Sequence, residues 1–369
     1  RTDSMATFPT TADELTAEFL STVLSANVAA FDVQLVEAQG AMTTAARIEL
    51  QYAGTAPADA PSAIFAKWAS PIPAVQQMAT ANGMYRREVR FYKDLASSSG
   101  LDVPRSYFGD WDRETGLFLL LLEDMANSQV GDLFASRVDE VRPVVEAIPA
   151  FHARWWNHSD LDGLRWLFPV DHPAVIKGLG ATFAASLKGA SAKFPEAFGG
   201  ALGELSQRIA ADYGAMATRF GARPRTLVHG DLHIQQVFFP RDAQGDQSGR
   251  FAIFDWQTIG RGFGGQDLAR IIAACLSPED RRAHERELVA SYHAGLIANG
   301  VGDYSLEQCW DDYRLGVLWS IVTNVIAGAS IDGDAMDLLA RPAGTTFIES
   351  FFGRLDDAIT DLEVGELLG

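Results

Sequence analysis

Apolar and polar positions follow two regimes along this chain, strand-like alternation in the first third and mostly helical spacing beyond it. Residues 11–25, "TADELTAEFLSTVLS", set apolar side chains at helical spacing after a polar start and predict a first helix. Two β-rich runs, 33–38 and 46–52, then flank a turn built on Gly40 with Thr43 and Thr44. After the Pro-rich loop "GTAPADAPS", the run "AIFAKWA" reads as a buried strand carrying one lysine, Lys67. "MYRREVRFYKDLA" sets Tyr85, Val89, Tyr92 and Ala96 on one helical face, with Glu88 beside it. "SYFGDWDRETGLFLLLLEDMA" reads as a hairpin, with strands at 106–109 and 117–122, a turn at 112–116 and an end at Glu123-Asp124.

Past that point the strand signals nearly vanish. Residues 137–158 predict a helix with Pro143 near its start and a kink at Pro149, and 171–222 predict further helices. Short apolar runs at 226–229, 237–240 and 250–254 predict a small sheet, with 240–250 as a hairpin turn, and everything from Gln266 onward reads as helix and loop. The uncharged run 315–331 contains Ser, Thr and Asn and is short for a membrane span, so it reads as a buried helix. With no internal repeat and no Gly/Ser linker, the layout predicts an α+β chain of two lobes around one cleft, 6–124 and 125–369.

Length and charge narrow the function. At 369 residues the chain exceeds one ordinary core, which suits two lobes. A net charge of −18 argues against nucleic acid, whose binding is carried by clustered Lys and Arg, and leans toward a neutral or cationic small molecule. The two cysteines, Cys275 and Cys309, have neither metal spacing nor the density of a disulfide scaffold, and predict a reducing, cytoplasmic setting without membrane association. Residues 1–15 lack the apolar core of a secretory leader. Nothing in the sequence sets an oligomeric state.

The candidate chemistry lies in "LVHGDLHIQQVFF" (227–239) and "FAIFDWQTIGRGFGGQDLAR" (251–270). Asp231 on a loop after one strand and Asp255 at the end of another suit phosphoryl transfer. One carboxylate orients the attacking hydroxyl, and the other holds Mg²⁺ against the phosphates. An amide after the first Asp, here Gln236, adds an oxygen of the kind hard cations take. The plainer alternative is that both aspartates only cap turns. Lys67 in an apolar strand needs an anionic partner, for which Glu88 is the candidate, or else snorkels to water from an edge. The Gly40–Thr44 turn either lays N–H groups over phosphates or is an ordinary hairpin turn. The backbone of Glu123 to Met125 stands where an adenine edge would be read.

These residues, with "LLLLEDMA", "FHARWW", "ERELVASYHAGLIANGV" and "CWDDYRLG", resemble the aminoglycoside phosphotransferase and choline kinase superfamily, and most of all its ecdysteroid-kinase-like (CHK kinase-like) branch. The resemblance implies a protein-kinase-like fold, a nucleotide-binding N-lobe, and an acceptor pocket in the C-lobe. It implies ATP and Mg²⁺ as cofactors and a hydroxyl-bearing small molecule as substrate: a steroid-like alcohol, aminoglycoside, amino alcohol or sugar. Asp231 becomes the catalytic base, Asp255 the metal ligand, Lys67 the phosphate contact, Glu88 its orienting partner, and Asp267 the brace of the loop. His229 is implied to be structural. The family pattern has Asn where this chain has Gln236, which keeps the amide oxygen but adds a methylene, as in the "HGDLHxxQ" form of maltokinase-like enzymes. The alternative function is a non-catalytic nucleotide-binding protein with a decayed metal site at Gln236, and a third is a helical scaffold. His152, beside Trp155 and Trp156, reads as core, while Asp311, Asp312 and Arg314 suit either a substrate contact or a solvated helix face.

Overall fold

The computed structural model describes residues 7–36, 42–240 and 249–368. Its first helix, α1 (Ala17–Leu24), is capped by the Thr16 hydroxyl, which accepts from Phe19 N. Strands β1 (Val28–Val36), β2 (Thr43–Tyr52) and β3 (Ala63–Ala69) follow, then helices α2 (Pro73–Ala81) and α3 (Met84–Arg90), the hairpin β4 (Ser106–Trp111) and β5 (Phe118–Glu123), and a short β6 (Ser128–Val130). Helices α4 (Val138–Arg154), α5 (Pro173–Lys193), α6 (Ala201–Ala211) and α7 (Tyr213–Gly221) lead into β7 (Thr226–Val228), β8 (Val237–Pro240), β9 (Ala252–Ile253) and β10 (Gly260–Gly262). The remainder is helical: α8 (Gly265–Ile272), α9 (Pro278–Ala298), α10 (Leu306–Gly328), α11 (Gly333–Ala340) and α12 (Arg354–Asp361).

The contacts divide the chain into two compact units, 1–129 with 238–258, and 130–237 with 259–369. In the first, an antiparallel sheet runs in the order β1-β2-β3-β5-β4. Alternation decides its faces. Ala46, Ile48 and Leu50 of β2 and Ile64, Ala66 and Trp68 of β3 are buried with Leu119, Leu121, Leu20 and Phe8 in one core. Lys67, one residue out of phase, faces the other side. There α3 is fixed by Tyr85, which stacks on Phe118 with centroids 4.5 Å apart and whose hydroxyl donates to Met42 O at 2.7 Å. A turn of π-helix, Phe91–Leu95, continues α3.

The second unit is helical around the antiparallel pair β7–β10. Helix α4 runs from Val138 to Arg154 through both prolines, so Pro149 does not end it, and a Cβ on Gly295 of α9 would stand 2.8 Å from the Pro149 ring. Helices α8 and α10 meet backbone to backbone. A Cβ on Gly316 would lie 1.9 Å from Gly265 O, and one on Gly265 would lie 2.1 Å from Asp312 O. Every residue of α8 is buried, which makes it the central post of this unit. The uncharged run near 315–331 belongs largely to the buried part of α10, and no single helix among the described residues is long and apolar enough to cross a membrane. The expected turns at Gly40 and within 241–248 lie outside the described residues.

Candidate active site

The residues singled out in the sequence fall into two clusters, one in each unit. In the first, strand alternation aims Lys67 toward α3, where Nζ donates to both Glu88 oxygens at 2.7 and 2.8 Å and to Asp255 Oδ1 at 3.0 Å. Lys67 is 8% exposed and Glu88 1%, so the pair is sealed rather than snorkelling. Two carboxylates share one ammonium, leaving a net charge of −1. Burial alone would lower the Lys67 ammonium, but Asp255 and Glu88 outweigh it and hold the group above its usual range. Burial raises the Glu88 carboxyl to about 6; Lys67 opposes this and Asp255 adds to it.

Asp255 adopts φ +66°, a left-handed conformation that a residue with a Cβ rarely takes. Strain of this kind persists only where the surroundings enforce it. Here Trp256 stacks on Phe91 with centroids 3.8 Å apart and planes 8° from parallel, and its indole N–H donates to Ile253 O at 3.3 Å. The remaining Asp255 oxygen accepts from Gln257 Nε2 at 3.3 Å. Carboxylate oxygens held beside a surplus negative charge fit a hard divalent cation. Among the described residues, however, no three His, Cys, Asp or Glu side chains converge as a metal cluster.

The other expected nucleotide residues are positioned by the same unit. Glu123 N donates to Arg105 O at 2.7 Å, and the Glu123 carboxylate takes Arg250 Nη2 at 2.6 Å. Met125 is buried and its carbonyl accepts from Ser128 N at 2.8 Å. Thr43 and Thr44 open β2, opposite Ala69 and Trp68. Gly40 lies outside the described residues.

In the second unit, the loop after β7 turns at Gly230, whose φ of +88° is open to glycine and strained for other residues. Asp267, buried in the first turn of α8, accepts from His229 N at 2.7 Å and Gly230 N at 2.9 Å. His152 Nε2 stands 3.2 Å from the same carboxylate, and its Nδ1 lies 2.7 Å from the Tyr292 hydroxyl. His152 is therefore a core residue of the support under the loop. Trp319 of α10 clamps the loop from another side, donating to Gly230 O at 2.7 Å.

Asp231, carried on this loop, is ion-paired: Arg270 Nε donates to Oδ1 at 2.9 Å. Arg270 Nη1 donates to Asn324 Oδ1 at 2.7 Å, and Asn324 Nδ2 donates to Phe351 O. Asp231 Oδ2 lies 3.7 Å from His233 Nε2, and that nitrogen lies 3.2 Å from Gln236 Nε2. Gln236 and Asp255, both expected to hold metal, belong to different units. Arg270, Trp319 and Asn324 carry no sequence signal of their own beyond the three-residue offset of Arg270 from Asp267, which puts both on neighbouring turns of one helix. Of the residues with two readings, Asp312 is buried against Arg223 and the Tyr304 hydroxyl (2.8 Å), so it stabilises α10, whereas Asp311 and Arg314 form a 3.7 Å pair.

A family model, DUF1679, described as "Uncharacterized oxidoreductase dhs-27", matches residues 182–337, less than half of the chain. The chain is 24% identical over 241 residues to the uncharacterized kinase-like protein D1044.1 of Caenorhabditis elegans, covering 62% of this chain and 61% of that protein. Among solved structures, aminoglycoside phosphotransferase APH(3'')-Id of Streptomyces rimosus is 18% identical, with 79% of this chain and 92% of that one covered at a TM-score of 0.42. A choline kinase of Cryptosporidium parvum is 11% identical, with 92% and 90% covered at a TM-score of 0.47.

The word oxidoreductase in the family description finds one echo. Residues 260–265, "GRGFGG", have the G-x-G-x-x-G spacing of a dinucleotide loop. The geometry differs from such a loop, because β10 pairs antiparallel with β7 and is not the first strand of a parallel unit. A Cβ on Gly262 would meet Gln266 Oε1 at 1.9 Å, one on Gly264 the Tyr292 hydroxyl at 2.1 Å, and one on Gly265 the Asp312 carbonyl at 2.1 Å. The chain's own atoms fill the space through which a pyrophosphate would approach.

Proposed function

We propose that the protein is an ATP- and Mg²⁺-dependent phosphotransferase that phosphorylates a hydroxyl group of a small molecule. The observation that carries this reading is the Lys67–Glu88–Asp255 cluster, with Lys67 and Glu88 buried and Asp255 half-buried in a left-handed backbone. A buried lysine fixed by one carboxylate of a helix, with a second carboxylate in reach, is equipped to meet a phosphate chain. The kinase-like label of the Caenorhabditis elegans relative supports the same reading.

Lys67 binds the phosphates, and Glu88 keeps its ammonium charged and aimed. Asp255 would hold Mg²⁺, and the charge of the bound ion would offset that of the transferring phosphoryl group; Gln236, in the other unit, is a candidate amide donor. Asp231 orients the acceptor hydroxyl and receives its proton, on a loop held rigid by Asp267 and Trp319. The hydroxyl oxygen forms a bond to the γ-phosphorus while the bridging P–O bond breaks, its electron pair leaving with ADP. Substrates on this reading are alcohols, with amino alcohols, sugars, aminoglycosides and steroid-like alcohols all to be screened.

The test is a Mg-ATP phosphate-transfer screen against chemically grouped alcohols, with a thermal shift as the binding readout. A shift together with a phosphorylated product supports the enzyme. A second reading is a non-catalytic nucleotide-binding protein with a decayed metal site at Gln236. It expects the shift and no product with any alcohol.

A further inference from the structure

The Asp231 carboxylate is not symmetric in its surroundings. Its Oδ1 is taken by Arg270 Nε at 2.9 Å, while Oδ2 has His233 Nε2 at 3.7 Å, beyond a direct hydrogen bond. The arginine side chain is only 6% exposed against 29% for Asp231, so the cation is the buried partner. It cannot swing, because Nη1 is committed to Asn324 Oδ1 at 2.7 Å and Asn324 is tied through Nδ2 to the Phe351 carbonyl. The planar guanidinium thus connects the loop to α8 and α10 in one fixed orientation. Asp267 lies three residues earlier on the same helix and binds the loop backbone, so α8 sets the loop with one side chain and its reactive carboxylate with another.

We infer that Arg270 is a positioning residue of phosphoryl transfer: it occupies Oδ1 of Asp231 and leaves Oδ2 as the oxygen that receives the acceptor hydroxyl. This rests on the functional reading above. The hydroxyl proton moves to Oδ2, the new O–P bond forms, and the electron pair of the breaking P–O bond leaves with ADP. With Oδ1 held by the guanidinium, the carboxylate plane is fixed and Oδ2 is aimed at the acceptor hydroxyl.

The experiment uses the full chain and Mg-ATP turnover with water as acceptor, read as phosphate release. Arg270→Gln is expected to lower kcat about 100-fold, the loss typical of a misplaced reacting group, with KM for Mg-ATP unchanged within about twofold. Arg270→Lys keeps the charge but not the planar fork, and is expected to fall between that variant and the wild type. In an Asp231→Asn background, Arg270→Gln is expected to cost nothing more, because Arg270 acts only through that carboxylate. A wild-type kcat in Arg270→Gln overturns the inference, as does an equal loss in both backgrounds. If thermal melts show that Arg270→Gln does not fold, Arg270→Lys decides, and a wild-type kcat there overturns it. Absence of phosphate release in water, together with absence of phosphorylated product throughout the alcohol screen, overturns the functional reading and this inference with it.

Discussion

Glu88 joins a stability statement to a functional one. Its carboxyl stands at about 6 in the folded protein against an ordinary 4.5, chiefly because it is buried. A raised folded value means the native state holds the extra proton. The contribution of this group to stability is therefore full below about 4.5 and is lost as pH rises through about 6. Relative to wild type, Glu88→Gln is expected to gain about 2 kcal/mol as pH rises from about 4 to about 7.5, measured by denaturant unfolding at each pH. Mg-ATP affinity should run the opposite way: lowering pH through about 6 neutralises Glu88 and loosens Lys67, so the thermal shift with Mg-ATP shrinks. A shift independent of pH over that window would remove Glu88 from its orienting role. Gln236 has its own check, since Gln236→Ala should raise the Mg²⁺ concentration needed for half-maximal turnover, read by Mg²⁺ titration.

Helices α8 and α10 depend on two glycines. Because a Cβ on Gly316 would stand 1.9 Å from the Gly265 carbonyl, Gly316→Ala forces the helices apart and should cost about 1–3 kcal/mol in a denaturant melt. The movement would carry Trp319 and Asn324 with it, so turnover should fall more than stability alone explains. An unchanged melt would show that the two helices have room to spare. Elements of this unit and the first were legible to different degrees. Strand β2 announced itself by apolar positions that alternate with polar ones, and β3 by a continuous apolar run interrupted only by Lys67. Helix α2, "PAVQQMATA", escaped the reading because only Ala79 is buried, which leaves almost no apolar period to see. Strands β6 and β10 escaped because "SQV" and "GRG" are three residues long and are specified by their partners.

The division into units separates two tasks. Lys67, Glu88 and Asp255 lie in one unit and Asp231 with its Arg270 in the other. Asp231→Asn should therefore cut turnover to a small residual rate while keeping the thermal shift with Mg-ATP, whereas Lys67→Met should remove the shift itself. Loss of the shift in Asp231→Asn, in a protein that still folds, would contradict this separation. The segment 238–258 belongs with the N-terminal sheet although it follows the His-Gly-Asp loop in sequence, a placement that linear order does not reveal.

The residue types and their order were already written in the chain: Lys67 in an apolar strand, Glu88 on the next helix, Asp231 after a glycine, Asp255 closing an apolar run. These are readable because burial periodicity is local and because a lysine among apolar residues demands a partner. What only folding decided is which charges meet. Asp255 joins Lys67 across 188 residues of chain, and Asp231 finds Arg270 across 39. In sequence Arg270 is one more charged residue on a helix. It becomes the partner of Asp231 only because α8 is buried on every side, where an unpaired guanidinium would be costly and a neighbouring carboxylate lowers that cost.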